Sequence, residues 1–286
     1  MNPLPLNNTF KIAGVMGWPV AHSRSPMIHR HWLKQHGLAG TYIPLPVRPE
    51  DAVEIIRALP RLGFAGLNVT VPHKHTALEA ADKVDDVAGR IGAANTLVVR
   101  EGKVHATNTD AEGFIENLRQ GAPDVDFSAG KAVVLGAGGA ARAVLVGLLD
   151  AGVPQIVLLN RTRERAEELA AQAGAGRTIV VDWNNRMEAL AGASFLVNTT
   201  SLGMVGHAPL DLTLDALPPD ALVNDIVYAP LETDLLAAAR ARGNIVIDGL
   251  GMLLHQAVAG FEAWFGTRPS VTDDLRRLVI ADLEGS

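Results

Sequence analysis

Apolar, β-branched runs alternate with amphipathic stretches along most of this chain. Phe10 to Met16 reads as a short strand closed by Gly17. Ser25 as N-cap and Pro26 in the first turn predict a helix to about His36, ended by Gly37. Thr41 to Val47 is a second strand and Pro49 to Leu59 a helix. Ala65 to Val71 is a third strand, stopped by Pro72, which cannot continue a central ladder. Helices are predicted near His73 to Ala81 and Val84 to Ile91. Leu97 to Arg100 and Lys103 to Thr107 read as a hairpin turning at Glu101-Gly102. Strands alternating with helices imply a mostly parallel sheet, with the hairpin at one edge.

Beyond Ala111 the alternation resumes. Lys131 to Leu135 is an apolar strand, followed by a glycine turn and a helix to Ala151, and Gln155 to Leu159 is the next strand. Thr178 to Val181, a polar helix, then Ser194 to Asn198, Leu222 to Val227 and Asn244 to Ile247 continue the unit. These are the parts of a doubly wound domain over residues 111–248. Two helices remain, from Gly249 to about Phe265 and from Val271 to Leu283, with no strand to pair with. They are predicted to pack back on the first domain, making it discontinuous: 1–110 plus 249–286. The active cleft would then lie between the domains, crossed near Asp110 and Gly249.

Length supports two cores, since 286 residues is long for one. The net charge of −6 argues against a general nucleic-acid or anionic-membrane binder. There is no cysteine, which removes disulfides, catalytic thiols and thiolate zinc sites. Met1 to Phe10 has no basic segment followed by an apolar run, so no signal peptide is expected. The most apolar region, Ala132 to Leu149, carries Arg142 and four glycines, so no membrane span is expected either, and a cytoplasmic protein fits best. The closest histidine pairs, His29/His31 and His73/His75, are two apart and share no helix face, so they read as packing or surface residues and no metal is expected.

Candidate chemistry clusters at predicted strand ends. Asn68, Thr70 and Lys74 crowd polar groups where ligands sit in open α/β sheets; taken alone, the same stretch reads as a strand, a turn and a solvated lysine. Ser23 and Ser25, two apart in a hydroxyl-rich loop, face one way if the loop is extended and suit a carboxylate, though the spacing equally suits a cap and a turn. Gly136-Ala137-Gly138-Gly139-Ala140-Ala141 fits the G-x-G-x-x-G/A dinucleotide fingerprint between a strand and a helix. The following strand ends in Asn160-Arg161-Thr162-Arg163-Glu164-Arg165 rather than in the acid that would hold an NAD ribose. An amide and arginines suit a 2′-phosphate, hence NADP. Hydride transfer to a dinucleotide also needs a base for the hydroxyl proton. A Tyr-x-x-x-Lys pair is absent, because Tyr42 and Tyr228 are followed four residues on by Pro46 and Glu232. Lys74 with Asp110 is the remaining acid–base pair; a low-dielectric cleft would ease loss of the lysine proton, and a neighbouring carboxylate would oppose that while orienting the amine.

In this order and spacing the motifs resemble those of the shikimate dehydrogenases, within the shikimate/quinate dehydrogenase family. They are Gly17 to Pro26, Asn68 to Lys74, Gly92 to Thr96, Asn108-Thr109-Asp110, Gly136 to Arg142, Asn160-Arg161-Thr162, Asn198 to Met204, Tyr228-Ala229-Pro230 and Gly249 to Gln256. The resemblance implies a discontinuous substrate domain, a Rossmann-type NADP domain and reversible NADP-linked reduction of 3-dehydroshikimate to shikimate. A dual-specificity quinate/shikimate enzyme and a non-catalytic NADP-binding regulatory module are the alternatives. It also implies Lys74 and Asp110 as the catalytic pair, and Ser23 and Ser25 on the substrate carboxylate. Asn68, Thr70, Asn95, Tyr228 and Gln256 would line the ring hydroxyls. Gly136 to Ala141 would cradle the pyrophosphate, and Asn160, Arg161, Thr162 and Arg165 would surround the adenosine phosphate. Thr200, Ile226, Gly249 and Met252 would complete the cofactor site. The expected partner is the small-molecule substrate alone, bound by a monomer or homodimer.

Overall fold

The computed structural model describes residues 10–285, so the expectation about a leader over Met1 to Phe10 falls almost wholly outside them. The chain divides into two compact units: the first runs to Thr109 and resumes at Gln256, and the second is Asp110–His255. The first crossing falls beside Asp110. The second lies inside a helix, later than Gly249.

The first unit contains β1 (Lys11–Gly17), α1 (Ser25–Gln35), β2 (Gly40–Pro46), α2 (Ala52–Ala58), β3 (Phe64–Val69), α3 (Lys74–Ala80), β4 (Lys83–Val84), α4 (Asp86–Ile91), β5 (Thr96–Arg100) and β6 (Lys103–Thr107). Its sheet has the order β2-β1-β3-β5-β6-β4. β1 runs parallel to β2 and β3, and only β5 is antiparallel to its neighbours. The hairpin β5–β6 turns at Glu101 and Gly102, whose φ of 52° and 72° match a type I′ turn. It is not the sheet edge as predicted. β4 covers it, held where Val104 N–H donates to the Asp82 carboxylate (2.7 Å). Both β4 residues are exposed, so no hydrophobic pattern marks the strand. β3 likewise stops at Val69, and Thr70 to His73 form a turn closed by His73 N–H to Thr70 O (2.9 Å).

The second unit contains α5 (Asp110–Gly121), β7 (Lys131–Leu135), α6 (Gly139–Ala151), β8 (Ile156–Asn160), α7 (Arg163–Ala173), β9 (Thr178–Asp182), β10 (Ala193–Asn198), β11 (Leu222–Asp225), α8 (Asp234–Ala241) and β12 (Ile245–Ile247). The sheet order is β12-β11-β10-β7-β8-β9, parallel throughout. Strand order therefore reverses between β7 and β10, the switch point where doubly wound sheets bind ligands. The polar helix predicted before β10 is instead two single 3₁₀ turns, Trp183–Asn185 and Glu188–Leu190. Arg186 pins this stretch to Asp211 (2.8 Å), and Asn184-Asn185 favour turn over helix. Helices α5, α7 and α8, the last capped by Thr233, are additional to the predicted elements.

Helix α9 (Leu250–Phe265) begins in the second unit and ends in the first, and α10 (Asp273–Glu284) belongs to the first. Within that unit α2 and α3 cover one face of the sheet through Ile56, Ala77, Leu67 and Leu97. Ala13, Val15, Tyr42, Val98 and Trp264 pack on the other. Trp264, 2% exposed, donates its indole N–H to Leu97 O (2.9 Å), and Trp32 donates to Ser270 O (3.1 Å). No helix among the described residues is long and apolar enough to cross a membrane.

Candidate active site

In the first unit the predicted residues gather at the carboxyl end of β3. Asn68 is 5% exposed because its strand is central. Its Oδ1 accepts from the Tyr42 hydroxyl (2.6 Å), and its amide donates to Thr96 Oγ1 (3.1 Å). Thr96 donates to Asn95 Oδ1 (2.9 Å), Asn95 donates to Thr109 Oγ1 (3.1 Å), and Thr109 donates to Gln256 O (2.8 Å). Asn95 Nδ2 also reaches Gln256 Oε1 at 3.5 Å. A branched network of hydrogen bonds thus joins Asn68, Asn95 and Gln256. Tyr42, Thr96 and Thr109 are its other links, and they were not among the predicted site residues. Thr96 and Thr109 stand within motifs quoted above, but Tyr42 carries no local signal.

Ser25 is not the cap of α1. Arg24 occupies that position in helical geometry without a side-chain cap, and Ser25 is the first helical residue. Ser23 Oγ accepts from the Ser25 N–H (3.3 Å). Thr70 lies outside the polar chain; its methyl packs where a side chain on Gly17 would collide, at 2.5 Å. Lys74 is half-buried at the first turn of α3, and its carbonyl accepts from Ala94 N–H (2.9 Å), the residue before Asn95. His73 fixes that turn. It is 1% exposed, with Nε2 2.8 Å from Val47 O, so the proton sits on Nε2. Asp110 follows Thr109 directly and opens α5.

In the second unit Gly136 has φ +105°, and a Cβ there would lie 2.6 Å from Thr199 Oγ1 and 3.0 Å from Thr200 Cγ2. Only glycine lets the turn pass so close to the β10 loop. Gly138 caps α6 in extended geometry without a side-chain bond, and nothing stands within 4 Å of a Cβ built on Gly138 or Gly139. Ala137 and Ala140 are half-buried, and Ala141 is fully buried against the sheet. This open, uncapped helix start fits a pyrophosphate. At the adjacent strand end, Asn160 donates to Thr162 O (2.8 Å), and Thr162 caps α7 in extended geometry. Arg161 and Arg165 are exposed. Arg163 is instead committed to Glu167 (2.7 Å) and Asp182 (3.0 Å), both of which favour its charged form.

The loops after β10 and β11 complete the group. Asn198 Oδ1 accepts from Thr200 N–H (3.0 Å) and Oγ1 (2.7 Å), and Ile226 N–H donates to Asn198 O (3.1 Å). Gly249 is needed for approach. A Cβ there would lie 2.1 Å from Ile226 O. Met252, half-buried, sits in the first turn of α9, and Tyr228 is half-buried beyond Val227. The carboxyl ends of β7, β10 and β11 therefore bring Gly136, Thr200, Ile226 and Gly249 together, with Asn160 at the end of neighbouring β8.

A discontinuous α/β unit carrying a polar strand-end network, and a doubly wound unit with a dinucleotide turn at its switch point, define a two-domain dehydrogenase with a Rossmann NAD(P) domain. The profile for the shikimate dehydrogenase substrate binding domain matches residues 15–97, that for shikimate/quinate 5-dehydrogenase matches 119–204, and that for the shikimate 5′-dehydrogenase C-terminal domain matches 249–278. A shikimate dehydrogenase (NADP(+)) of Paramagnetospirillum magneticum is 61% identical, over 95% of this chain and 98% of its own. Among solved structures, the quinate dehydrogenase of Corynebacterium glutamicum in complex with NAD aligns with TM-score 0.88 at 32% identity, covering 95% of this chain and 99% of that one. The Thermus thermophilus shikimate 5-dehydrogenase in complex with NADP(H) and shikimate aligns with TM-score 0.83 at 35% identity, covering 96% and 100%. The chain belongs to the shikimate dehydrogenase family.

Proposed function

We propose that this chain is an NADP-dependent oxidoreductase that interconverts 3-dehydroshikimate and shikimate in aromatic amino-acid biosynthesis. The observation that carries the reading is near-full-length identity of 61% to a shikimate dehydrogenase (NADP(+)). The basic strand-end turn at Asn160-Arg161 supports NADP over NAD, because an acid to bond the ribose hydroxyls is missing there.

The first unit takes the substrate and the second the cofactor. NADP, when bound, supplies or accepts the hydride. Gly136 to Ala141 present backbone amides to its pyrophosphate, while Asn160, Arg161, Thr162 and Arg165 surround the 2′-phosphate. Thr200, Ile226, Gly249 and Met252 line the remainder. Ser23 and Ser25 hold the substrate carboxylate. Asn68, Thr70, Asn95, Tyr228 and Gln256 hold the ring hydroxyls. Lys74 and Asp110 move the proton at the reacting oxygen, giving it during reduction and taking it during oxidation. The hydrogen-bonded network from Tyr42 to Gln256 supports this reading, because it orients the Asn68 and Asn95 amides before any ligand arrives. We place the enzyme in the cytoplasm as a monomer or homodimer. Its charge of −6 speaks against nucleic acid or an anionic membrane as partner.

Initial rates with shikimate and with quinate, each with NADP and with NAD, test the proposal. Turnover confined to shikimate with NADP is the expected result. Comparable rates with quinate or NAD would make this a dual-specificity enzyme. No turnover in any combination, with NADPH still bound, would make it a binding module.

A further inference from the structure

The reaction described above makes no use of Asp225, although it is a carboxylate with 0% exposure at the end of β11. A buried carboxylate is costly unless donors surround it, and here three do. Asn198 Nδ2 (3.0 Å) and Val227 N–H (3.0 Å) both donate to Oδ1, and the Thr233 hydroxyl (2.8 Å) donates to Oδ2. Burial pushes its pKa up, and these same donors pull it back.

The two oxygens have different tasks. Among the described residues Oδ2 meets only Thr233, the cap of α8, whose hydroxyl also receives Leu236 N–H. Oδ1 joins two loops. Through Asn198 it reaches Thr200, whose amide and hydroxyl both bond Asn198 Oδ1, and Leu202, whose carbonyl accepts from Asn198 Nδ2 (3.2 Å). Through Val227 it holds the segment between Ile226 and Tyr228. We propose that Asp225 is a positioning residue whose Oδ1 locks the Thr200 loop and the Ile226–Tyr228 segment into one register, so that cofactor and substrate contacts are set together. The inference rests on the reading above for what those loops hold. Asparagine at this position retains an oxygen for Asn198 and Val227 and presents its amide to Thr233, which can accept; alanine leaves both loop donors without an acceptor.

The test compares D225A, D225N and T233V at a temperature where each is folded. It uses equilibrium NADPH binding, KM for NADP and for shikimate, and amide hydrogen exchange of the ligand-free protein. Losing hydrogen bonds to a charged acceptor is expected to raise both KM values and the NADPH Kd together in D225A, by about 10-fold. D225N is expected to hold that rise to about 3-fold, and exchange should quicken at Thr200, Leu202 and Val227 in step. T233V should lower Tm and quicken exchange only in the first turn of α8, with binding unchanged. Unchanged exchange in the loops of D225A would overturn the clamp. Quickened exchange with all binding constants unchanged would also overturn the positioning role, and would locate the failure in the ligand assignments of Thr200 and Tyr228. If D225A does not fold, the contrast between D225N and T233V decides: equal effects on binding overturn the proposal, and a joint rise in D225N alone sustains it.

Discussion

His29 stacks on Tyr42 with ring centroids 4.0 Å apart and planes 5° from parallel, beside Trp32, Phe261 and Trp264. It is wholly buried, and neither ring nitrogen has a hydrogen-bond partner. Burial drives its pKa from 6.5 to about 3. Between those values the unfolded chain binds a proton that the folded chain refuses, so stability falls as pH drops below 6.5. One pKa unit corresponds to about 1.4 kcal/mol, so His29 should cost the protein about 2 kcal/mol between pH 7 and pH 5. His29→Phe keeps the stack and removes the titration. Urea unfolding at the two pH values should show the variant gaining that much on the native protein in acid; parallel losses would contradict the assignment. Lys74 gives a second residue-scale expectation. Lys74→Ala should lower kcat by about 10²–10⁴, the usual worth of a positioned acid–base group, with NADPH binding unchanged. Loss of NADPH affinity instead would make the lysine a structural group.

Elements show where local sequence is enough and where it is not. The hairpin at Glu101-Gly102, the strand–glycine–helix unit at Gly136 and the αL glycine ending α6 at Gly152 are written in short stretches, because a positive φ leaves a residue signature. The same logic yields an expectation: Glu101 holds φ 52° without the side chain that suits it. Glu101→Asn should stabilise by about 0.5–1 kcal/mol, seen as a higher Tm. β4 and the 3₁₀ turns were illegible since exposed or pinned segments have no apolar period. The site divides in the same way. The glycine turn and basic turn are contiguous in sequence, whereas the chain Tyr42–Asn68–Thr96–Asn95–Thr109 depends on the register of several strands. Within the basic turn, residue type alone does not separate Arg163, bound to Glu167 and Asp182, from Arg161; the family resemblance names Arg161 and Arg165 and leaves Arg163 out. Arg161→Ala should therefore weaken NADP by about 1.5–3 kcal/mol and NAD far less, measured by titration of each. Equal losses would refute a phosphate contact.

At the scale of the whole molecule, the order of residues and the order of contacts part company. Trp264 fills the first unit's core and satisfies Leu97 O across a separation of 167 residues. Trp264→Phe removes the indole donor from that carbonyl, which also faces β3 in the sheet, and should cost about 0.5–1.5 kcal/mol for the hydrogen bond plus the lost ring volume. Faster amide exchange in β3 and β5 is the measurement; unchanged protection there would mean the carbonyl finds another donor.

Interleaving of this kind also bears on the ribosome. Domains ordinarily fold as they emerge, amino-terminal first. Here the later unit, Asp110–His255, is an uninterrupted stretch and is complete once His255 is clear. The earlier one must wait, its six strands already synthesised, until Trp264 and then Asp282, the ion partner of Arg24, leave the exit tunnel. The nascent chain thus finishes its second-made unit first, and holds an apolar sheet open through most of its own translation.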